Sequence, residues 1–122
     1  MQFGAATPIL RSFDEAAARA FYVDWLGFEV VFEHWFEPHL PLYLGLVRDG
    51  LHLHLSEHHG DTTPGTRVRI QVADIHGFHA ELQSRPYPHL APGSPIRQPW
   101  GEFDLTLTDP FGNRLTFYEV ET

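Results

Sequence analysis

The sequence repeats itself at a spacing of about 60 residues, and this repeat limits the possible folds more than any other feature. Asp14 and Asp74, each followed by a helical pattern, are 60 residues apart, and so are the turn residues Asp49 and Asp109. Beyond the second turn the match moves to 62 residues, as in Leu53 and Leu115, consistent with two extra residues in that turn. Self-similarity at a fixed period indicates a repeated structural unit. The chain is therefore predicted to contain two copies of one supersecondary unit.

The first copy reads as a strand, a helix and three further strands. Asp14 is the expected N-cap, and Gly27 is placed to end the helix in a left-handed conformation. Alternating apolar and polar residues indicate strands with one buried face. The predicted strands are Thr7–Arg11, Glu29–Trp35, Tyr43–Val47 and Leu51–Ser56, with residues 36–41, which include His39, as a loop.

The second copy has the same order. Its predicted elements are a strand over Arg67–Val72, a helix opened by Asp74, a proline-broken edge strand within Tyr87–Ile96 and a hairpin within Gln98–Tyr118. We therefore expect an α+β fold in a single domain of residues 1–122. Two βαβββ modules, about residues 5–57 and 66–120, form a cupped mixed sheet with the helices on its outer face.

The polar faces of these strands are expected to line a shared concavity. They carry His52, His54, Arg67, Arg69, Gln71, Thr116 and Tyr118. Trp100 stands at the entrance of the second hairpin, between Pro99 and Gly101, and has no counterpart in the first copy. An indole beside a tight bend either caps its own core edge or contacts a ligand. Its absence from the first copy favours the ligand contact.

Composition excludes several classes of function. The formal charge of −8 argues against a nucleic-acid partner, which requires a basic surface. The absence of cysteine excludes disulfides, thiolate metal sites and cysteine nucleophiles. No apolar run is long enough to cross a membrane and no signal peptide is recognised, so a cytoplasmic protein is expected. Nine histidines raise the question of a metal site.

Several short motifs resemble those of the vicinal oxygen chelate superfamily, which comprises glyoxalase I, extradiol dioxygenases, fosfomycin resistance enzymes and bleomycin resistance proteins. They are Pro8-Ile9-Leu10 before Asp14, Leu26-Gly27-Phe28, Gln98-Pro99-Trp100-Gly101 and Asp109-Pro110-Phe111-Gly112-Asn113. The Gln-Pro-Trp-Gly motif, followed by Glu102 and Phe103, is similar to the bleomycin resistance branch. The resemblance implies paired βαβββ modules and a homodimer whose two clefts straddle the interface.

In the enzymes of the superfamily, metal ligands come from the first and fourth strands of each module. The repeat carries those positions onto Thr7, His54, Arg67 and Thr116. Of these only His54 suits a divalent ion, and an arginine repels it. The resemblance therefore implies no metal cofactor. The alternative is a divalent metal ion on His52 and His54, with further ligands from the loop that holds Glu57, His58, His59 and Asp61.

The candidate ligand-binding residues form two chemical groups. Trp100, Trp35 and Phe36 offer rings for stacking, whereas Phe32 and Tyr43 are interpreted as core residues. The acids Glu33, Glu37, Glu102 and Asp104 would attract a cationic tail. Three arginines on the polar face, Arg67, Arg69 and Arg114, would instead suit an anionic ligand, unless Glu102 and Asp104 neutralise them by pairing.

The resulting hypothesis is a non-catalytic small-molecule binding protein that sequesters an antibiotic in a dimer cleft, as the resemblance implies. Two alternatives stay open. The first is a metal-dependent enzyme of the glyoxalase or dioxygenase kind. The second is a binder of an anionic metabolite.

Overall fold

The structure, a computed structural model, describes residues 1–38 and 40–122. The chain divides into two compact units, Met1–Pro64 and Gly65–Thr122. Each unit contains a four-stranded sheet and one helical segment. Each sheet combines one parallel pair with two antiparallel pairs. The predicted α+β class with two βαβββ units is confirmed.

The first unit contains β1 (Ile9–Arg11), β2 (Glu29–Glu37), β3 (Leu40–Arg48) and β4 (Leu51–Ser56), in the sheet order β1-β4-β3-β2. Its helical segment α1 starts with an α-helical turn, Glu15–Ala18, and continues as a π-helix over Arg19–Trp25. The Asp14 side chain accepts a hydrogen bond from the Ala17 N–H, as the predicted N-cap should. Gly27, with φ of 79°, lies just after the helix in the left-handed conformation.

The π-helical form of α1 was not predicted. Three of its large side chains, Phe21, Tyr22 and Trp25, are buried, and their rings meet edge to face. An i→i+5 hydrogen bond from the Leu26 N–H to the Phe21 carbonyl accompanies this arrangement. Amphipathic periodicity predicts a helix here, but it does not distinguish an α-helix from its wider form.

The predicted loop over residues 36–41 was wrong in most of its length. Strand β2 continues to Glu37 and β3 begins at Leu40, so the connection is short. His39 lies outside the described residues. The pairing of β2 with β3 also shifts between Val30 and Phe32, so that Val31 forms a bulge. This bulge changes which side chains of β2 face each side of the sheet.

The second unit contains β5 (Arg67–Gln71), α2 (Ile75–Ser84), β6 (Ile96–Gln98), β7 (Glu102–Thr108) and β8 (Arg114–Val120). Its sheet order, β5-β8-β7-β6, repeats the topology of the first unit. The apolar face of this sheet contacts α2, where the Phe78 and Phe117 rings lie 4.7 Å apart. The edge strand predicted within Tyr87–Ile96 was wrong for all but its last residue, since β6 begins at Ile96 and runs on to Gln98. The prolines before Ile96 cannot donate ladder hydrogen bonds.

The turn between β7 and β8 is fixed by its own side chains. One Asp109 carboxylate oxygen accepts from the backbone N–H groups of Phe111 and Asn113, and the other accepts from the Asn113 amide. Gly112 has φ of 89°, a conformation that glycine adopts without strain. In the described part of the chain no helix is long and apolar enough to cross a membrane.

Candidate functional site

An open groove of about 490 Å³ runs along the polar face of the second sheet. We call it the β5–β8 groove, and its lining includes Arg67, Arg69, Gln98, Trp100, Asp104 and Thr116. Strand alternation explains Arg67, Arg69, Asp104 and Thr116, because β5, β7 and β8 each turn every second side chain to the same face. Five of these six residues, all except Gln98, were predicted as ligand-binding residues.

An ion pair neutralises one end of the groove. The Arg69 guanidinium donates to both carboxylate oxygens of Glu102, at 2.8 and 3.2 Å. Glu102 is buried, with 4% of its residue surface exposed. The Arg69 guanidinium lies over the ring of Tyr118, 4.1 Å from the ring centroid. The hydrogen bond from Arg69 is the main reason why the pKa of Glu102 is lowered. Arg69, Glu102 and Tyr118 therefore form one bidentate, ring-stacked cluster.

Trp100 projects from the turn before β7. The turn is closed by a hydrogen bond from the Gly101 N–H to the Gln98 carbonyl, and Gly101 has φ of 93°. Trp100 also contributes to the lowered pKa of Glu102, after the larger effect of Arg69. Its ring is nevertheless exposed, with 66% of the residue surface accessible. This exposure argues against a core-edge cap within the unit and leaves a positioned stacking surface.

Two further polar pairs line the floor of the groove. The hydroxyls of Thr106 and Thr116 lie 2.9 Å apart on adjacent strands. Asp104 accepts a hydrogen bond from the Gln98 amide at 3.1 Å and does not pair with an arginine among the described residues. The acids therefore neutralise only one of the three predicted cations, since Glu102 takes Arg69.

The other two cations lie side by side. Arg67 of β5 and Arg114 of β8 are direct partners in the parallel register, and both are exposed. Neither makes an ion pair with any residue in the described ranges. Like charges opposite each other on a sheet destabilise it unless another charge compensates. We refer to these two residues as the arginine pair.

The open face of the first sheet is aromatic. Tyr43 and His54 are linked by a hydrogen bond of 2.7 Å between the Tyr43 hydroxyl and His54 Nδ1. The Phe32 ring stacks on that of Tyr43 at 6.0 Å and meets His54 edge-on at 5.2 Å. Burial is the main cause that lowers the pKa of His54, with His52 adding repulsion. Burial also raises the pKa of Tyr43.

The interpretation of Phe32 as a core residue was wrong. Phe32 is 41% exposed and lies over Gly45, on the same face as His54. The bulge at Val31 accounts for the error, since one extra residue reverses the in-and-out alternation of β2. Tyr43 is half-buried on this face rather than enclosed by the leucines.

The predicted aromatic pair Trp35 and Phe36 does not share a surface. Trp35 is paired with the buried Leu42 and lies on the side of the sheet that carries Leu42, Leu44 and Leu46, which we call the leucine face. Trp35 itself is 36% exposed. Phe36 lies on the opposite face, with His34 and His58 each 4.8 Å away between ring centroids. Successive residues of a strand point to opposite sides, so one ligand on one face of this sheet reaches Phe36 and not Trp35.

The donor set does not fit the metal site of the superfamily's enzymes. In the sheet, the neighbour of His54 on β1 is Ile9 rather than Thr7, and the neighbour of Thr116 on β5 is Arg69 rather than Arg67. None of these neighbours offers a neutral nitrogen or a carboxylate. Over residues 1–38 and 40–122, no group of three or more His, Cys, Asp and Glu side chains could hold a metal ion.

The loop that was considered as a source of further metal ligands is engaged in its own structure. Asp61 accepts from the Ser56 hydroxyl at 2.6 Å and lies 3.2 Å from His58 Nδ1. Glu57 accepts from the Leu42 N–H at 3.1 Å. These carboxylates therefore fix the loop to the sheet.

Several site residues were not found from the sequence. Gln98 and Thr106 lie in the groove, together with Ser94 and Ile96. Thr106 could have been placed beside Thr116 from the sequence, because the alternation of the hairpin puts both side chains on the same face of the sheet. No local signal identifies Ser94, because the segment before β6 has no regular pattern.

Comparisons with known proteins support the architecture along the whole chain. A sequence model described as glyoxalase superfamily protein matches residues 1–122. A bleomycin-binding protein solved with bleomycin is 26% identical, with a TM-score of 0.74 over 98% of this chain and 100% of that one. The bleomycin resistance determinant encoded on the transposon Tn5 is also 26% identical, with a TM-score of 0.75 and the same coverage.

A third similar structure is the bleomycin-binding protein of Streptomyces verticillus, solved with copper(II)-bleomycin. It is 28% identical, with a TM-score of 0.68, and the match covers 96% of each chain. No protein with a curated description matches this sequence.

Proposed function

The chain belongs to the glyoxalase superfamily, and we propose that it binds a small molecule without changing it chemically, as an antibiotic-binding protein does. The β5–β8 groove is the proposed binding surface. Protection by such a protein is stoichiometric, so the affinity depends on pre-formed contacts and not on stabilisation of a transition state.

The observation that carries this proposal is Trp100. Its ring lines the groove and is exposed, on a turn that the Gly101–Gln98 backbone hydrogen bond closes. An exposed indole on such a turn supplies a large area for stacking on a planar ligand. The match with three bleomycin-binding or bleomycin resistance structures along nearly the whole chain supports the same class of function.

The remaining candidate residues enter the proposal with different roles. Arg67, Arg69, Asp104, Thr116 and Tyr118 line or support the groove, with Glu102 as the anchor of Arg69. We further propose a homodimer, as the family resemblance implies. His52, His54 and Phe36 lie on one face of the sheet of the first unit, and we propose this face as a second surface for ligand contact.

The proposal is tested by a thermal-shift screen of the full chain with metal-free bleomycin and other planar aromatic antibiotics, since a bound ligand raises the apparent stability. Hits are then titrated by calorimetry, and the ligand is recovered and analysed by mass spectrometry. We expect recovery of unchanged ligand and at least a tenfold loss of affinity in Trp100→Ala, with an unchanged melting temperature.

Trp35→Ala is the matched control, because Trp35 lies on the leucine face and its removal should leave the affinity unchanged. The proposal fails if no planar aromatic compound stabilises the folded protein. It also fails if the ligand is recovered as a chemically altered product.

A further inference from the structure

We infer that the β5–β8 groove takes ligands that combine a planar aromatic ring with an anionic group, a carboxylate or a phosphate. The ring stacks on Trp100 and the anion binds the arginine pair of Arg67 and Arg114. This inference rests on the proposed function, because it names the class of ligand for the same groove.

Two arginines of the second unit keep an uncompensated charge after ion pairing within the described residues. Five arginines lie in the second unit, and three of them have acidic partners: Arg69 with Glu102, Arg85 with Glu81, and Arg97 with Glu121. Only Arg67 and Arg114 lack an ion pair within the described residues, and they are the two that face each other across β5 and β8. Arg67 lines the groove, and Arg114 lies beside it on β8, outside the lining. A protein of formal charge −8 has acids available, so this uncompensated pair of cations at the edge of the groove indicates a site for an external anion.

The polar face that carries the groove has an acidic end and a cationic end. On β7, Asp104 and Thr108 are four residues apart, which corresponds to about 13 Å along the strand. The acid pairs across the sheet with Tyr118, whereas Thr108 pairs with Arg114. The acidic residue is therefore at the Trp100 end, the cations are at the other end, and the hydroxyl pair of Thr106 and Thr116 lies between them.

Arginine suits a carboxylate or a phosphate better than a lysine does. A guanidinium presents a planar fork of donors that matches a carboxylate or a phosphate in two parallel hydrogen bonds. Arg69 cannot serve in this way, because both carboxylate oxygens of Glu102 already occupy its fork. Arg67 lines the groove and keeps its donors available to a ligand. An ammonium group in the same place would be repelled.

The test uses three probes that share one ring and one linker and differ only in charge. They are 4-(2-naphthyl)butanoate, its neutral amide 4-(2-naphthyl)butanamide, and the cationic 4-(2-naphthyl)butylamine. Each is titrated calorimetrically into the full-length protein at low and high salt. We expect the butanoate to bind about tenfold more tightly than the amide, which corresponds to about 1.4 kcal/mol, and the amine to bind more weakly than the amide. Salt should reduce the difference, because it screens exposed charges.

Two variants assign the preference to the arginine pair. In the double variant Arg67→Gln, Arg114→Gln the butanoate and the amide should bind equally, while the melting temperature is unchanged or raised because a like-charge pair has been removed. Arg97→Gln is the control for net charge. It lies on β6 between two residues of the groove-facing side, so it points away from the groove and should keep the tenfold preference.

The outcomes separate this inference from the proposed function. If the three probes bind with equal affinity, and Trp100→Ala weakens all three, the anionic class is overturned and the proposed groove stands. If the preference for the butanoate persists in the double variant, the arginine pair is not the anion site and the inference is overturned. If none of the probes binds the folded protein, both the inference and the proposed groove are overturned.

Discussion

Gly45 is the residue on which the aromatic face of the first sheet depends most directly. A Cβ added at this position would lie 2.1 Å from one carbon of the Phe32 ring and within 2.6 Å of two more. Ordinary carbon contacts are about 3.5–4.0 Å, so in Gly45→Ala the ring has to move by more than about 1 Å. Phe32 is 41% exposed, so the ring can swing outward rather than compress the core.

The expected cost follows from the contacts that the moving ring gives up. Phe32 loses its stacking on Tyr43 and its edge contact with His54, each worth about 0.5–1.5 kcal/mol. Replacing a glycine within a strand returns about 0.5–1 kcal/mol. We therefore expect Gly45→Ala to lower the free energy of unfolding by about 1 kcal/mol. The measurement is urea denaturation followed by circular dichroism.

A double-mutant cycle tests the cause. In a Phe32→Ala background the ring is absent, so adding Gly45→Ala should be neutral or stabilising. Gly93→Ala is the control, because a Cβ at Gly93 would meet nothing within 4 Å. If Gly45→Ala destabilises the protein equally with and without the Phe32 ring, the reasoning is refuted and the strain lies elsewhere in β3.

Two further predictions concern pH and the second turn. The pKa of His54 is lowered in the folded state, so the unfolded chain binds more protons below pH 6.5. The stability that neutral His54 contributes is therefore full above that pH. It decreases as the pH falls through the folded pKa. His54→Gln should flatten this part of a stability-against-pH profile measured by urea denaturation, whereas exposed His59→Gln should not; parallel profiles for wild type and His54→Gln would contradict this assignment. Asp109→Ala removes three hydrogen bonds from a buried turn and should cost about 2–4 kcal/mol in the free energy of unfolding, measured in the same way. Exposed Asp49→Ala, in the equivalent turn, is the control, and an equal loss in both variants would show that Asp109 has no special role.

The parts of the fold that were predicted correctly depend on local chemistry. The caps at Asp14 and Asp74 follow from side chains that reach N–H groups three residues along, and alternation alone defines β4. The bulge at Val31 has no such local marker, since it arises from the pairing with β3. The bulge turns Phe32 to the face of His54, whereas an unbroken alternation from Val30 would place it on the opposite face.

The same distinction applies to the candidate site. Alternation placed Arg67, Arg69, Thr116 and Tyr118 on one face, as the structure has them. Which arginine Glu102 neutralises was left open, because the two partners are 33 residues apart in sequence and the choice depends on the register of three strands. In the structure Glu102 pairs with Arg69, and Arg67 and Arg114 lie next to each other on β5 and β8.

The two units share one topology but carry different chemistry at equivalent positions, and this difference bears on function. His54 and Thr116 occupy the same place on the fourth strand of each unit, and their neighbours on the first strand are Ile9 and Arg69. Of these four residues only His54 is a usual ligand of a divalent ion. The repeated backbone therefore supplies two similar polar faces, whereas the side chains make one face aromatic and the other cationic. The cationic face, whose groove Trp100 lines, is the one that supports the proposed ligand with a ring and an anionic group.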